Sequence, residues 1–316
     1  MTRACGQRLR DASRVRHLLP VPPRPAVPDA LRRKAFRGSD VVRSGLLTAN
    51  QLRGPAWRRL FPDVYAHVGL PVTHELRALV AARLVVPGSV VTGRSAAGFW
   101  GVELAGAADD VELPVPPGRH PVRTAGVRVR RSLLDPAHVT RRGATPVTTA
   151  EATAVRLAGI LPGDEGVVAV DRLVATGVVD LQDIRLLAAA TTGPGSARAR
   201  TACALADGLA ESPPETRLRL LIGRSSLPTP VAQFRVMHEG RIIARPDFAW
   251  PDRRVALEYD GLWHAQDGQF AKDRERLNRL REAGWQVVFV TAADMYRPEE
   301  VLRRIASALG VAVVVR

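Results

Sequence analysis

Residues 245–264 read RPDFAWPDRRVALEYDGLWH. Four ionisable side chains, Asp247, Glu258, Asp260 and His264, stand there in what otherwise has the pattern of buried strand. The run 241–250 alternates, with Ile242, Ala244, Phe248 and Trp250 on one face and Ile243, Arg245 and Asp247 on the other. The run 255–260 alternates again: Val255, Leu257 and Tyr259 share one face, Ala256, Glu258 and Asp260 the other. The turn between them, Pro251 to Arg254, is short enough to imply an antiparallel hairpin that brings Asp247 near Glu258 and Asp260. Three carboxylates so close raise one another's pKa unless a cation neutralises them, and oxygen donors of this kind suit Mg²⁺ or Mn²⁺. On residue types alone, the same acids serve equally well as a solvated strand edge paired with Arg253 or Arg254.

The flanking sequence completes a mixed unit. Ser212, Pro213 and Glu215 have the spacing of a capping box, so a helix starts there, and Glu215 has a structural reason to be present. A strand is predicted over 231–238, then a turn at Glu239-Gly240, then the hairpin. A helix over 269–282 buries Phe270, Leu277 and Leu280, with Asp273 and Arg276 on or beside that face. Polar groups placed there need partners: either they pair with each other or they border a site. The run 285–290 reads as a fully apolar strand, and Pro298 opens a last helix that Gly310 closes. The fold class is α/β, of the α+β kind, and this unit reads helix, three strands, helix, strand, helix.

Pro246-Asp247, the short hairpin, Glu258-x-Asp260 and the run EYDGLWH at 258–264 resemble the PD-(D/E)XK nuclease core. They are most similar to its Vsr-like form, found in very-short-patch repair endonucleases and in domains of actinobacterial proteins. The resemblance covers residues 211–316 and implies a metal-dependent DNA endonuclease. It implies that Asp247, Glu258 and Asp260 hold Mg²⁺ or Mn²⁺, that His264 is a general acid or base, and that Glu215 stands near the metal. The motif's usual Lys is replaced by Asp260, as Vsr-like members also lack it. Lys272, with Gln269, is close enough in sequence to substitute.

Upstream, Thr48 and Gln51 form a capping box, Pro55 opens a predicted helix through Trp57 and Leu60, Val64–Val68 suits a strand, and Thr73 starts a longer helix. The runs SGLLTANQLRG, DVYAHVG and VTGRSAAGFWG resemble the winged-helix start of AbiEi-type antitoxin proteins, which implies a winged-helix-like module over 36–105. A middle region, 106–210, begins with strands at 110–115 and 126–132. Arg128 and Arg130 share a face of the second strand, open to phosphate or simply to solvent. Helical pattern follows over 147–208, with the stretch TTGPGSARAR read as a loop that lacks the Lys and hydroxyl of a phosphate-binding loop.

The chain of 316 residues has 46% hydrophobic and 24% charged residues, which excludes a disordered protein. Its net charge of +15 favours a polyanionic partner, DNA before membrane, although an excess of Arg over Lys also follows from GC-rich coding. Residues 1–45 hold eleven basic and three acidic side chains, and 1–35 read as a basic, proline-rich flexible tail or as an over-long start. No run approaches the roughly 20 apolar residues of a membrane span, and no signal peptide is visible. Cys5 and Cys203 have neither disulfide-framework nor zinc spacing, so a cytoplasmic setting is expected. The functions left are a DNA endonuclease, a catalytically inactive DNA-binding regulator of antitoxin type, and a small-molecule phosphodiesterase, for which no pocket is indicated.

Overall fold

The computed structural model of the chain describes residues 27–118, 123–260 and 269–314, with backbone alone at 269–274. Its first part joins α1 (Asp29–Arg32), β1 (Phe36–Arg37), α2 (Gly38–Arg43) and α3 (Ala49–Leu52) to the hairpin of β2 (Trp57–Phe61) and β3 (Val64–His67). The three strands form one antiparallel sheet, in the order β1-β3-β2. The capping box forms as expected: Thr48 N donates to Gln51 Oε1 at 2.7 Å and Gln51 N to Thr48 Oγ1 at 3.2 Å. The helix expected from Pro55 through Leu60 is instead strand β2. Trp57 is fixed there by tertiary contact, edge-on to Phe36 at 5.2 Å and to His67 across the hairpin at 5.7 Å, with Asp63 in the left-handed turn.

Helix α4 (His74–Val80), capped by Thr73, runs into a π-helical turn at Ala81–Val85 and leads to α5 (Gly93–Phe99). Strands β4 (Val111–Val115) and β5 (Val127–Arg131) pair in parallel, and β6 (Val139–Arg142) and β7 (Thr145–Thr148) form a hairpin. Arg128 and Arg130 are exposed while Val127 is buried, so alternation placed the basic face correctly. A buried polar relay ties α4, α5 and β4 together. His74 Nδ1 lies 3.0 Å from the Gly106 carbonyl and Nε2 2.8 Å from Ser95 Oγ, which in turn accepts from Glu112 N at 2.9 Å. Burial lowers the pKa of His74, as suits a neutral ring that donates at Nδ1 and accepts at Nε2. Gly93, at φ +58°, is where this packing leaves no room: a Cβ would lie 2.0 Å from Glu112 Oε2. Gly93→Ala should therefore lose more than about 1 kcal/mol of stability. A thermal melt indistinguishable from wild type would refute that.

Four helices follow: α6 (Ala150–Ile160), α7 (Glu165–Ala175), α8 (Leu181–Ala190) and α9 (Ser196–Leu205). Their core includes Ala154, Leu157, Val170, Leu173, Ile184 and Cys203. Part of the stretch read as a loop, 196–200, is the start of α9. Gly195 in the left-handed region begins that helix and lets it approach α6, where a Cβ on Gly159 would meet the Gly195 carbonyl at 3.0 Å.

The last part opens with α10 (Pro213–Gly223) and continues through β8 (Val231–Ala232), β9 (Val236–His238), β10 (Arg241–Ala244), β11 (Phe248–Trp250) and β12 (Val255–Asp260). Helix α11 (Gln269–Glu282), β13 (Gln286–Thr291) and α12 (Pro298–Leu309) complete it. A four-stranded sheet has the order β13-β12-β11-β8, with β12 and β13 parallel and the other pairs antiparallel. Strands β9 and β10 form a separate hairpin whose turn, Glu239-Gly240, has both residues at positive φ. Two strands expected to be continuous are therefore broken. The run 231–238 breaks at Gln233, which has φ 52°. The run 241–250 breaks at Arg245–Asp247, where Pro246 has no N–H for the ladder.

One face of the sheet, with Phe248, Trp250, Val255, Leu257 and Val290, packs on Leu218 and Ile222 of α10 and Leu302 and Ile305 of α12. Helix α11 contacts β10 and β13, and its Leu280 is buried with Val236 and Ala244. The strand expected over 285–290 forms as β13, one residue further on, at the edge of the sheet, with only Val290 fully buried. Helix α10 faces two cores, since its Leu220 belongs to that of the four-helix region. Overall the fold is mixed α/β, of the α+β kind, with several small sheets.

Candidate functional site

Because Phe248 pairs with Leu257, one further step along the hairpin sets Asp247 against Glu258. The ladder ends there: instead of a backbone carbonyl, the Asp247 carboxylate takes the next N–H, accepting from Tyr259 N at 2.7 Å through Oδ2. Strand alternation turns Leu257 toward α10 and α12, and so turns Glu258 to the opposite side, toward α11. There Arg276 donates to both Glu258 oxygens, Nη1 to Oε1 and Nη2 to Oε2, each at 2.7 Å. Glu215, in the first turn of α10, is buried. It accepts from Glu211 N at 2.9 Å, Ser212 Oγ at 2.7 Å and Gln233 Nε2 at 3.2 Å.

Asp247 is where these charges meet. Burial above all, then the negative charges of Glu215 and Glu258, push its carboxyl up to about 6, against the opposing pull of the Tyr259 N–H and Arg276. Ionising it in place costs roughly 3 kcal/mol more than in water. A carboxyl whose pKa is raised toward neutral pH in this way suits proton transfer.

Of the residues expected to form the site, the structure brings together Asp247, Glu258 and Glu215. Asp260 ends β12 as an exposed side chain, on the same strand face as Glu258 but outside its buried environment. His264 lies outside the described residues, as does the side chain of Lys272, whose backbone belongs to α11. Arg276 and Gln233 are added. Helical spacing did put Arg276 beside the buried face of 269–282, and a partly buried arginine implies an acid. Which acid was hidden, because the pairing spans 18 positions. Gln233 carries no such signal.

The expected ligand set for Mg²⁺ or Mn²⁺ does not fit in this geometry. Both oxygens of Glu258 are engaged by Arg276, Glu215 is bound to its own helix start and to Gln233, and one oxygen of Asp247 is committed to Tyr259. Among the described residues, no three acidic, histidine or cysteine side chains converge as a metal ion requires. A cavity of about 170 Å³, lined by residues that include His138, Val155, Arg156 and Leu187, shares no lining residue with the site. Among the described residues no helix is long and apolar enough to cross a membrane.

No family model matches the chain. Two uncharacterized proteins of Mycobacterium tuberculosis are similar to part of it: MT2308 of strain CDC 1551 / Oshkosh and Rv2248 of strain ATCC 25618 / H37Rv. Each is 39% identical over 114 residues, which is 35% of this chain and 42% of the relative, so the chain spans well under half the length of these relatives. The crystal structure of the RV2827C protein from Mycobacterium tuberculosis aligns with a TM-score of 0.38 and 17% identity, over 66% of this chain and 82% of that one.

Proposed function

We propose that the chain is a DNA endonuclease whose site is built on Asp247 and Glu258. The observation that carries this reading is Asp247 itself: a half-buried carboxyl held up to about 6 beside Glu215 and Glu258, where the β11–β12 ladder ends. An arrangement so costly to ionise has no role in packing, since an Asn would accept the same N–H without charge, and such groups concentrate where chemistry is done. The resemblance of the run 258–264 to Vsr-like endonucleases supports the reaction class, hydrolysis of a phosphodiester bond, and implies Mg²⁺ or Mn²⁺, which Glu258 as Arg276 holds it here does not accommodate. It also gives His264 as acid or base, with Asp260 and Lys272 as supporting groups. A cytoplasmic place beside DNA goes with this reading.

Purified protein incubated with plasmid, single-stranded DNA and RNA should cleave DNA under Mg²⁺ or Mn²⁺ and not under EDTA. A second reading has its own observation: the closed Arg276–Glu258 pair is also what a catalytically inactive DNA-binding regulator would keep as structure. DNA binding without cleavage under every metal would favour it.

Both readings share an electrostatic expectation. Residues 1–26 carry six Arg and one Asp, whereas 27–45 include the core residues Leu31, Phe36 and Val41, so removal of 1–26 takes charge and leaves those core residues in place. With a slope of about 0.9 per phosphate contact, the truncated chain should lose up to about five from the slope of log affinity against log salt. An unchanged slope in a salt titration would remove the segment from the interface.

A further inference from the structure

We propose that the cavity bounded by α6, the turn from α8 into α9 and the β6–β7 hairpin is a binding site for a small organic anion, a single carboxylate on a compact apolar body. It shares no lining residue with the Asp247 site and does not depend on the nuclease reading.

The argument starts from Arg156. Helix α6 turns Ala152, Val155, Arg156 and Gly159 to the cavity, a spacing of three and four residues that makes one helix face. The other three are small or apolar, and a cation set among such groups needs an acceptor. Arg156 is only partly exposed, and its Nη2 is buried with no hydrogen-bond partner among the described residues. None of the described residues that line the cavity is acidic. A donor in that state carries its desolvation cost with nothing to offset it. Turning the guanidinium to an anion in the cavity therefore breaks no hydrogen bond at Nη2 and supplies the missing acceptor.

Two further features set the class of ligand. Helix α9 starts at the cavity wall, where Gly195 and Ser196 line it, and its first turn has no acidic residue and no side-chain cap. The partial positive charge of that helix end adds to Arg156. Elsewhere the wall is largely apolar, with Leu134, Ile160, Leu187 and Ala199, which suits a hydrocarbon body. One guanidinium balances one charge, so a monocarboxylate fits better than a phosphate dianion. The volume of about 170 Å³ fixes the size, since an apolar cavity of about 150 Å³ takes benzene. His138 and Thr148 bring the β6–β7 hairpin to the same space, so a bound ligand bridges the hairpin and the helices and stabilises the fold.

The test is calorimetric titration and thermal melting of the full chain with benzoate and isovalerate. The controls are benzamide, which has the ring without the charge, and inorganic phosphate, which has charge without the body. Wild type should bind the carboxylates saturably and melt higher in their presence, and should bind benzamide and phosphate about tenfold or more weakly. Arg156→Met should lose carboxylate affinity by a similar factor while keeping its fold. Ala152→Leu, which fills the cavity from the same helix face, should abolish binding, and it carries the test if circular dichroism shows Arg156→Met unfolded. No saturable binding of either carboxylate to wild type would overturn the site. So would benzamide or phosphate bound as tightly as the carboxylates, or carboxylate binding unchanged in the folded variants.

Discussion

Asp247→Asn should melt at a higher temperature than the wild-type chain at about pH 8 and should cleave no DNA. The stability half follows from linkage. In the fold the Asp247 carboxyl is held up to about 6, against its ordinary 3.8, by burial and by Glu215 and Glu258. Between those two values the folded chain binds more protons than the unfolded one. Wild type therefore loses stability as pH rises through the window, and above about 6 the loss is complete. Asn has no proton to lose and still offers Tyr259 N an acceptor. The gain should be near zero below pH 3.8, grow across the window and level off at up to roughly 3 kcal/mol. A chain of this size would then melt on the order of 5 °C higher. The activity half follows from the site reading, in which this carboxylate is the central group. Glu258→Gln should likewise abolish cleavage, but it removes a charged partner of Arg276 and should not stabilise. A difference between Asp247→Asn and wild type that stays constant from pH 4 to about 8 would contradict the electrostatic explanation.

The largest loss of stability is expected away from the site, in Asp171→Ala. Asp171 is fully buried and accepts from Asp207 N at 3.0 Å, Gly208 N at 2.9 Å, Thr216 Oγ1 at 2.9 Å and Arg219 Nη2 at 2.8 Å. It binds α7 to α10. Truncation leaves two N–H groups without their acceptor and takes one of two carboxylates from Arg219, which keeps Asp207 at 3.0 Å and the Leu205 carbonyl at 2.7 Å, so the cost should be about 2–4 kcal/mol. Because α10 also carries Glu215, the variant should lose activity in step with its fold. Denaturant melts that leave the midpoint within error of wild type would refute this.

How much of this was legible in the sequence depended on whether the deciding interaction was local. Thr48 with Gln51, Thr73, Ser212 and the Pro298 to Gly310 frame each fix a helix end through groups a few residues apart, and those helices appear where the spacing put them. Strand β12 was legible because alternation alone separates Leu257 from Glu258. The strand at Trp57–Phe61 was not, since Phe36 and His67 decide it from a distance. The broken strands hid behind good alternation, with Pro246 the one visible sign. At the site, carboxylates inside apolar strands marked Asp247 and Glu258 locally. The engagement of Glu258 by Arg276 arises only when α11 folds back over the sheet. Likewise, α10 was legible as a helix but not as one shared between two cores. The expected boundary at 211 thus falls just before a helix bound on both sides.

The most direct measurement compares wild type and Asp247→Asn, purified in parallel, for conversion of supercoiled plasmid under Mg²⁺, Mn²⁺ and EDTA. Wild type should nick or linearise the plasmid with either metal and leave it intact in EDTA, while Asp247→Asn, folded and melting higher, leaves it intact throughout. Cleavage by Asp247→Asn at the wild-type rate would contradict the assignment of this site.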